Sequence, residues 1–366
     1  MLCLSPNGAG VASDYEKLLK SAAEKGSSRA RYLLEKIASL PPSKRLSAVE
    51  HDAESNNAEA LAVVAKLYQT GLLKKHLDRK QSYSLYQRAA AKGSSDAEFE
   101  LADSLVSGEL TGEKNWKKAE PYLEAASKQG NSYAQTLLAA VYADDDPQGR
   151  RDDIVGLLTA AVKRGNPNAA QNLGSIYKQG ELVKQDLNRA YELTLSAAKQ
   201  GVIAAQTELF GITMLQRNSD HFEEALKWLK IAGNENNTNA MYILSGVNRF
   251  SGDEVIPDAE TFTWLQKAAS QNDQDALLEL GSYYETAHES TPADPQKARK
   301  YYLQAAQNNE TEAAIALGDS YRLEDNTAES DTEACKWYRR AAELGNLDAK
   351  DKVERHCSEK NSSQLH

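Results

Sequence analysis

Apolar positions recur along this chain at one spacing. An alanine is followed four residues later by a leucine or valine, and in many places eight residues later by a tyrosine. The alanines are Ala30, Ala60, Ala97, Ala134, Ala169, Ala205, Ala240, Ala276, Ala313 and Ala349. The branched residues include Val64, Leu101, Leu138, Leu173, Leu209, Leu244, Leu280 and Leu317, and the tyrosines are Tyr68, Tyr142, Tyr177, Tyr284 and Tyr321. Offsets of 0, 4 and 8 share one face of an α-helix, so each set predicts a helix, here called helix A, with a small, a branched and an aromatic residue on its packed side. No segment alternates with the two-residue period of a strand.

Four residues before each alanine stands a glycine or an asparagine: Gly26, Asn56, Gly93, Gly130, Gly165, Gly201, Asn236, Asn272, Asn309 and Gly345. After a shorter first step these anchors are 35 to 37 residues apart. Glycine and asparagine best tolerate the left-handed conformation that closes a helix. Alanine pairs such as Ala89-Ala90 and Ala341-Ala342 precede most anchors, so each anchor ends an alanine-rich helix B. Capping residues such as Ser94-Ser95-Asp96 and Asn237-Thr238-Asn239 then open the next helix A. The loop from A to B often ends in Asp or Asn (Asp78, Asn115, Asp186, Asp258, Asp294), which suits the N-cap of helix B. Pro121 falls inside a helix B, which is expected to start late or bend there.

A hairpin of this kind leaves an apolar face wet unless the next hairpin covers it. The expected fold is all-α: a right-handed superhelical solenoid of stacked antiparallel helix pairs. Residues 1–12 read as a flexible N-terminus, 13–56 as a shortened first repeat, 57–345 as eight helix-pair repeats, 346–357 as a capping helix and 358–366 as a disordered tail.

The best unit runs Ala169-Ala170-Gln171-Asn172-Leu173-Gly174-Ser175-Ile176-Tyr177-Lys178-Gln179-Gly180, then Val183, Asp186, Ala190, Ala197-Ala198 and Gly201. It resembles the Sel-like repeat family, a branch of the tetratricopeptide-type helical repeats. The resemblance covers about 330 residues, with departures at Thr213 and Asn248 in the tyrosine position and at an acidic loop, Asp144-Asp145-Asp146. It implies mediation of protein contacts, with many bacterial members periplasmic or secreted and some acting as scaffolds in polysaccharide export or envelope machinery.

Charge narrows the partners. Lys plus Arg number 43 against 53 Asp plus Glu, a net charge of −10. That balance argues against nucleic acid, which needs clustered cations, and against flat adsorption on anionic lipid. No apolar run is long enough to span a bilayer. The three cysteines, Cys3, Cys335 and Cys357, make neither a disulfide framework nor a zinc pattern. A Cys335–Cys357 bridge would need an oxidising compartment, and buried or unpaired thiols are the favoured reading. The first twelve residues are equally compatible with a floppy terminus and with the tail of a secretory signal that places small residues, Gly10 and Ala12, before Ser13. A periplasmic or secreted location is expected, with cytoplasmic as the alternative.

The six histidines and the acidic residues form no metal, phosphate-loop or nucleophile spacing, and no cofactor is expected. The expected function is a non-enzymatic protein-interaction scaffold or adaptor. A carbohydrate-binding or polysaccharide-export scaffold ranks second, and an enzyme with dispersed residues third. Partners would be proteins or peptides along a concave face lined by A helices. Offsets 2, 6 and 9 after each alanine point away from the packed side and supply the candidate partner-binding residues Phe99, Lys178, Tyr242, Arg249, Leu278 and Arg322. The rival reading packs Phe99, Tyr242 and Leu278 against the preceding repeat.

Overall fold

The computed structural model describes residues 12–71, 78–216, 221–251, 256–286, 292–324 and 327–357. The expected signal remnant at the N-terminus, apart from Ala12, and the expected disordered tail lie outside them. Among the described residues every regular element is helical. The chain forms two compact units, residues 1–218 and 219–366.

In the first unit α1 is Ala12–Glu24; α2, Ser28–Tyr32, continues into a π-helical turn at Leu33–Ile37; and α3 is Pro42–Glu54. The pairs that follow are α4 (Ala58–Gln69) with α5 (Arg79–Ala90), α6 (Ser95–Ser107) with α7 (Trp116–Lys128), α8 (Ser132–Asp145) with α9 (Arg151–Lys163), and α10 (Pro167–Gln179) with α11 (Leu187–Lys199). Helix α12 is Ile203–Gln216. The second unit holds α13 (Phe222–Asn234), α14 (Thr238–Ser245), the short α15 (Val247–Ser251), α16 (Asp258–Ser270), α17 (Gln274–Glu285), α18 (Pro295–Gln307), α19 (Thr311–Glu324), α20 (Ala328–Glu343) and α21 (Leu347–His356).

Local chemistry explains where these helices begin and end. All ten anchors have positive φ, from 60° at Asn56 to 97° at Gly345, and the only non-glycine residues with that backbone among the described ones are the four anchor asparagines. At eight of the ten anchors, Gly201 and Asn309 being the exceptions, the residue after the anchor caps helix A by accepting the N–H of the repeating alanine. Asn57 Oδ1 takes Ala60 at 2.9 Å, Asn237 Oδ1 takes Ala240 at 2.8 Å and Asp273 Oδ1 takes Ala276 at 2.9 Å. Asp78, Asn115, Asp186 and Asp294 cap B helices as expected, with N–H to oxygen distances of 2.9 to 3.1 Å. Asp258 does not: the N-cap of α16 is Pro257, and Asp258 is its first helical residue.

Helix α7 starts at Trp116 and contains Pro121, so of the two expected consequences of that proline the late start is not the one seen. One other expectation needs correcting. Helix α8 extends through Asp145, so Asp144 and Asp145 form a helix end rather than a loop; the Asp146 N–H closes it by donating to the Tyr142 carbonyl at 3.0 Å, and Asp146 Oδ1 accepts the Gly149 N–H at 2.9 Å in the turn that follows.

Packing within a hairpin is set by size matching. The fifth residue after the repeating alanine is Gly281 in α17 and Gly318 in α19, and a β-carbon at either would overlap Tyr302 or Tyr338 of the partner helix. Both rings are almost wholly buried. In the α6–α7 and α8–α9 hairpins the same positions hold Ala102 with Leu123 and Ala139 with Leu158, all buried in one core cluster. Close packing of small against large fixes the register of these hairpins.

The cysteines are corrected too. Cys335 of α20 and Cys357, just beyond α21, are joined by a disulfide with Cα atoms 5.6 Å apart. Cys335 is buried against α21, and stacking of that helix on α20 brings together two residues 22 apart in sequence.

Candidate partner-binding surface

The outward side of the A helices carries a ladder of ion pairs between neighbouring repeats. The acid sits at offset 3 of one helix A and the cation at offset 6 or 9 of the helix A before it. Glu100 of α6 pairs with Lys66 of α4 at 2.9 Å, Glu208 of α12 pairs with Lys178 of α10, and Glu279 of α17 pairs with Arg249 of the preceding repeat. At the end of the second unit the polarity reverses, with Lys352 of α21 against Asp319 of α19 at 2.6 Å. The recurrence of Glu at offset 3 is visible in the sequence, but its partner is not, because the two lie 30 to 34 residues apart.

The six candidate residues fall into this setting. Lys178 and Arg249 are ladder cations. Phe99 is half-buried, its ring centroid 6.1 Å from that of Tyr133 on the next helix A. Tyr242 is half-buried beside Arg249, Glu279 and Asp275, and burial, reinforced by those two acids, pushes its hydroxyl above the usual range. Leu278 is half-buried on α17, and Arg322 lies 3.5 Å from Asp331 of α20. The structure thus brings Tyr242 and Arg249 together; Arg322 has its own acidic neighbour in the same unit, and Phe99 and Lys178 belong to the first unit.

A feature absent from the sequence reading closes the start of the first unit. Asp96 Oδ2 accepts the Ser27 hydroxyl at 2.8 Å and the Arg29 N–H at 2.6 Å, and the Ser28 hydroxyl donates to Glu59 Oε2 at 2.9 Å. Arg29 also reaches Glu100 Oε1 at 3.3 Å. Burial works against the Arg29 charge, yet Asp96 and Glu100 overcome it and raise its pKa. Burial drives the carboxyls of Glu59, Glu98 and Asp103 upward from their ordinary values.

A cleft of about 560 Å³ opens in the second unit between the end of α14, α15, α16 and α17, lined by Asn248, Arg249, Thr261, Phe262, Glu279 and Tyr283 among others. Among the described residues no group of three or more His, Cys, Asp or Glu converges as a metal site requires, and no helix is long and apolar enough to cross a membrane.

Comparison with known proteins accounts for this construction. The family model for the Sel1 repeat matches residues 58–94, 167–202, 208–237, 238–273, 274–310 and 311–346. An uncharacterised protein of Neisseria meningitidis serogroup B is 30% identical over 172 residues, covering 46% of this chain and 35% of that protein. Chitin synthase regulatory factor 2 of Schizosaccharomyces pombe is 26% identical over 230 residues, covering 59% of this chain and 44% of that protein. The chain therefore spans less than half the length of these curated relatives. The crystal structure of a Sel1 repeat protein from Oxalobacter formigenes superposes with a TM-score of 0.61 at 23% identity, covering 85% of this chain and 89% of that one.

Proposed function

Because this chain belongs to the Sel1 repeat family, we propose that it is a non-enzymatic scaffold that holds other proteins against the outward faces of its A helices, in a bacterial envelope or secreted complex. One observation carries the reading. Capping in α4 and α14 and the close packing at Gly281 and Gly318 take up inward positions, which leaves half-buried and exposed side chains such as Phe99, Lys178, Tyr242 and Arg249 as the candidates for contact. An extended row of such positions suits a protein partner better than a small substrate. The Cys335–Cys357 disulfide supports a compartment outside the reducing cytoplasm. The fungal relative is named as a regulatory factor for an enzyme, which is compatible with a scaffold.

The test replaces one aromatic on the first unit and two residues on the second, Phe99→Ala with Tyr242→Ala and Arg249→Ala. The triple variant should lose capture of the native partner while remaining folded at the assay temperature, although losing the Phe99–Tyr133 contact and the Arg249–Glu279 pair should lower its melting temperature. Unchanged capture removes these faces from consideration.

A second reading, a scaffold tied to polysaccharide synthesis or export, draws on the same relative's name. Binding of the purified chain on a glycan array would favour it over the first.

A further inference from the structure

Three of the tyrosines at offset 8 of helix A have a cation over the ring. The Arg150 guanidinium lies 4.2 Å from the ring centre of Tyr142, Lys297 Nζ 5.0 Å from that of Tyr284, and Arg299 4.7 Å from that of Tyr321. Tyr284 also stacks on Tyr301, with ring centres 5.7 Å apart and planes within 10°.

In the repeat that begins at Ala240 the ring is missing. Offset 8 is Asn248, whose amide is tied to the loop before α16: its Nδ2 donates to the Ile256 carbonyl at 2.7 Å and to Asp258 Oδ1 at 3.2 Å, and its Oδ1 accepts the Ile256 N–H at 3.1 Å. Two other repeats also lack the tyrosine, but there the substitute fills its own space. Leu105 is 6% exposed and Thr213 is 1% exposed. Asn248 is only half-buried and lines the cleft of about 560 Å³. The furniture of a ring site survives around it. Phe262 and Tyr283 present aromatic surface with ring centres 4.4 Å apart, and Arg249, paired with Glu279, supplies the cation at the wall.

We propose that this cleft takes an aromatic side chain, a tyrosine in particular, from a partner protein. The incoming ring would replace the one that Asn248 does not provide. Phe262 and Tyr283 would pack against it, Arg249 would lie beside its face and Glu279 would accept from its hydroxyl. The cleft exceeds one ring, leaving room for the peptide backbone on either side, and its size is in the range that holds small ligands. The biological use of the cleft rests on the scaffold reading; its chemistry does not.

The probe is N-acetyl-L-tyrosinamide, with N-acetyl-L-leucinamide as the control, titrated into the full chain and followed by NMR. The tyrosine amide should bind in the millimolar range and the leucine amide about tenfold more weakly. Asn248→Tyr, which restores the internal ring, should weaken tyrosinamide binding by about tenfold or more. Ala259→Trp, on the exposed first turn of α16 at the cleft wall, is the second variant and should do the same by covering it. Equal binding of the two amides, or unchanged binding in a folded Asn248→Tyr or Ala259→Trp chain, overturns the proposal. Capture of the native partner separates it from the scaffold reading. If Asn248→Tyr captures as well as the unaltered chain, the cleft is not the anchor although the scaffold stands. If the unaltered chain binds the amide but captures nothing, the scaffold reading falls and the ring site stands.

Discussion

Ser132, at the start of α8, donates its backbone N–H at 3.1 Å and its hydroxyl at 2.7 Å to the carbonyl oxygen of Lys25, 107 residues earlier. The cap that ends α1 is therefore seated on the cap that ends α7, three hairpins further along.

That seat depends on Gly26. Its φ is 96°, and a β-carbon there would overlap the Gly130 carbonyl oxygen, which belongs to backbone and has little freedom to move. Gly93 has φ 83° but nothing within 4 Å of a β-carbon. Gly93→Ala should cost only the left-handed penalty of about 1–2 kcal/mol. Gly26→Ala should cost about 1–3 kcal/mol more, because the contact with α8 must also give way. Urea midpoints of the two variants, compared in the full chain, check this; equal losses would show that the seat contributes nothing.

The match of Gly281 to Tyr302 predicts a rescue. On helix propensity alone Gly281→Ala should stabilise by about 1 kcal/mol. The buried ring reverses the sign, and a net loss of about 1–2 kcal/mol is expected from overpacking. Tyr302→Leu leaves a cavity of its own, since Tyr302 also donates to Glu285 Oε2 at 3.0 Å. Combined, the two recreate the Ala102–Leu123 pairing of the α6–α7 hairpin, and the double variant should be more stable than the sum of the single losses by about 1 kcal/mol or more. Strict additivity in a thermal or urea double-mutant cycle would refute the size-matching argument.

Features set by neighbours in sequence were legible, and those set by stacking were not. Asn56, Asn236, Asn272 and Asn309 announced left-handed caps because the conformational preference belongs to the residue itself. Ser94 and Asn237 announced N-caps because acceptor and donor are three residues apart. Asp258 misled because Pro257 already supplies the extended geometry that precedes a helix, which moves the boundary by one residue. Lys178 and Arg249 were legible as outward cations, whereas their partners Glu208 and Glu279 are met only once the next hairpin stacks. Cys335 and Cys357 lacked a readable spacing for the same reason: the path between them goes around the turn from α20 to α21. Asn248 was noted as a departure from the tyrosine position, but its consequence is a space, and a space has no residue to announce it.

The buried acids of the first unit give stability a pH dependence. Burial raises the Glu98 carboxyl above its ordinary value, although Gln129 Nε2 donates to it at 2.8 Å. With the folded value above the unfolded one, the folded chain holds more protons between the two. This contribution to stability is fully present below the unfolded value and is lost as pH rises through the folded one. Glu98→Gln removes the charge and keeps an acceptor for Gln129. It should raise the melting temperature at about pH 7 and leave it nearly unchanged at about pH 4, where the native carboxyl is already largely neutral. Glu59→Gln should act in the same direction, since burial is its largest influence too. In the second unit Glu260 has the opposite sign, lowered chiefly by its hydrogen bond with Lys230, so Glu260→Gln should destabilise at neutral pH and matter less in acid. Melting curves of the three variants across that range decide the matter, and a Glu98→Gln chain less stable than the unaltered one at neutral pH would refute the assignment.

The disulfide should act on the closing helix more than on the whole chain. Helix α21 is ten residues long, buries Ala349 and leaves six of its residues exposed, so alone it has little to hold it. Linking Cys335 to Cys357 closes a loop of 22 residues, which by chain entropy is worth about 3 kcal/mol. Each repeat contacts mainly its neighbours, so the loss on reduction should be concentrated in α20 and α21 rather than spread through the chain. Reduction, or the pair Cys335→Ala with Cys357→Ala, should therefore raise amide exchange in α21 by about a hundredfold while α4 to α6 exchange as before. The ion pair of Lys352 with Asp319 should weaken together with the helix, because α21 is what holds Lys352 over α19. Exchange in α21 that is identical in oxidised and reduced protein would show that packing alone secures the helix, and would remove the bond as support for an oxidising compartment.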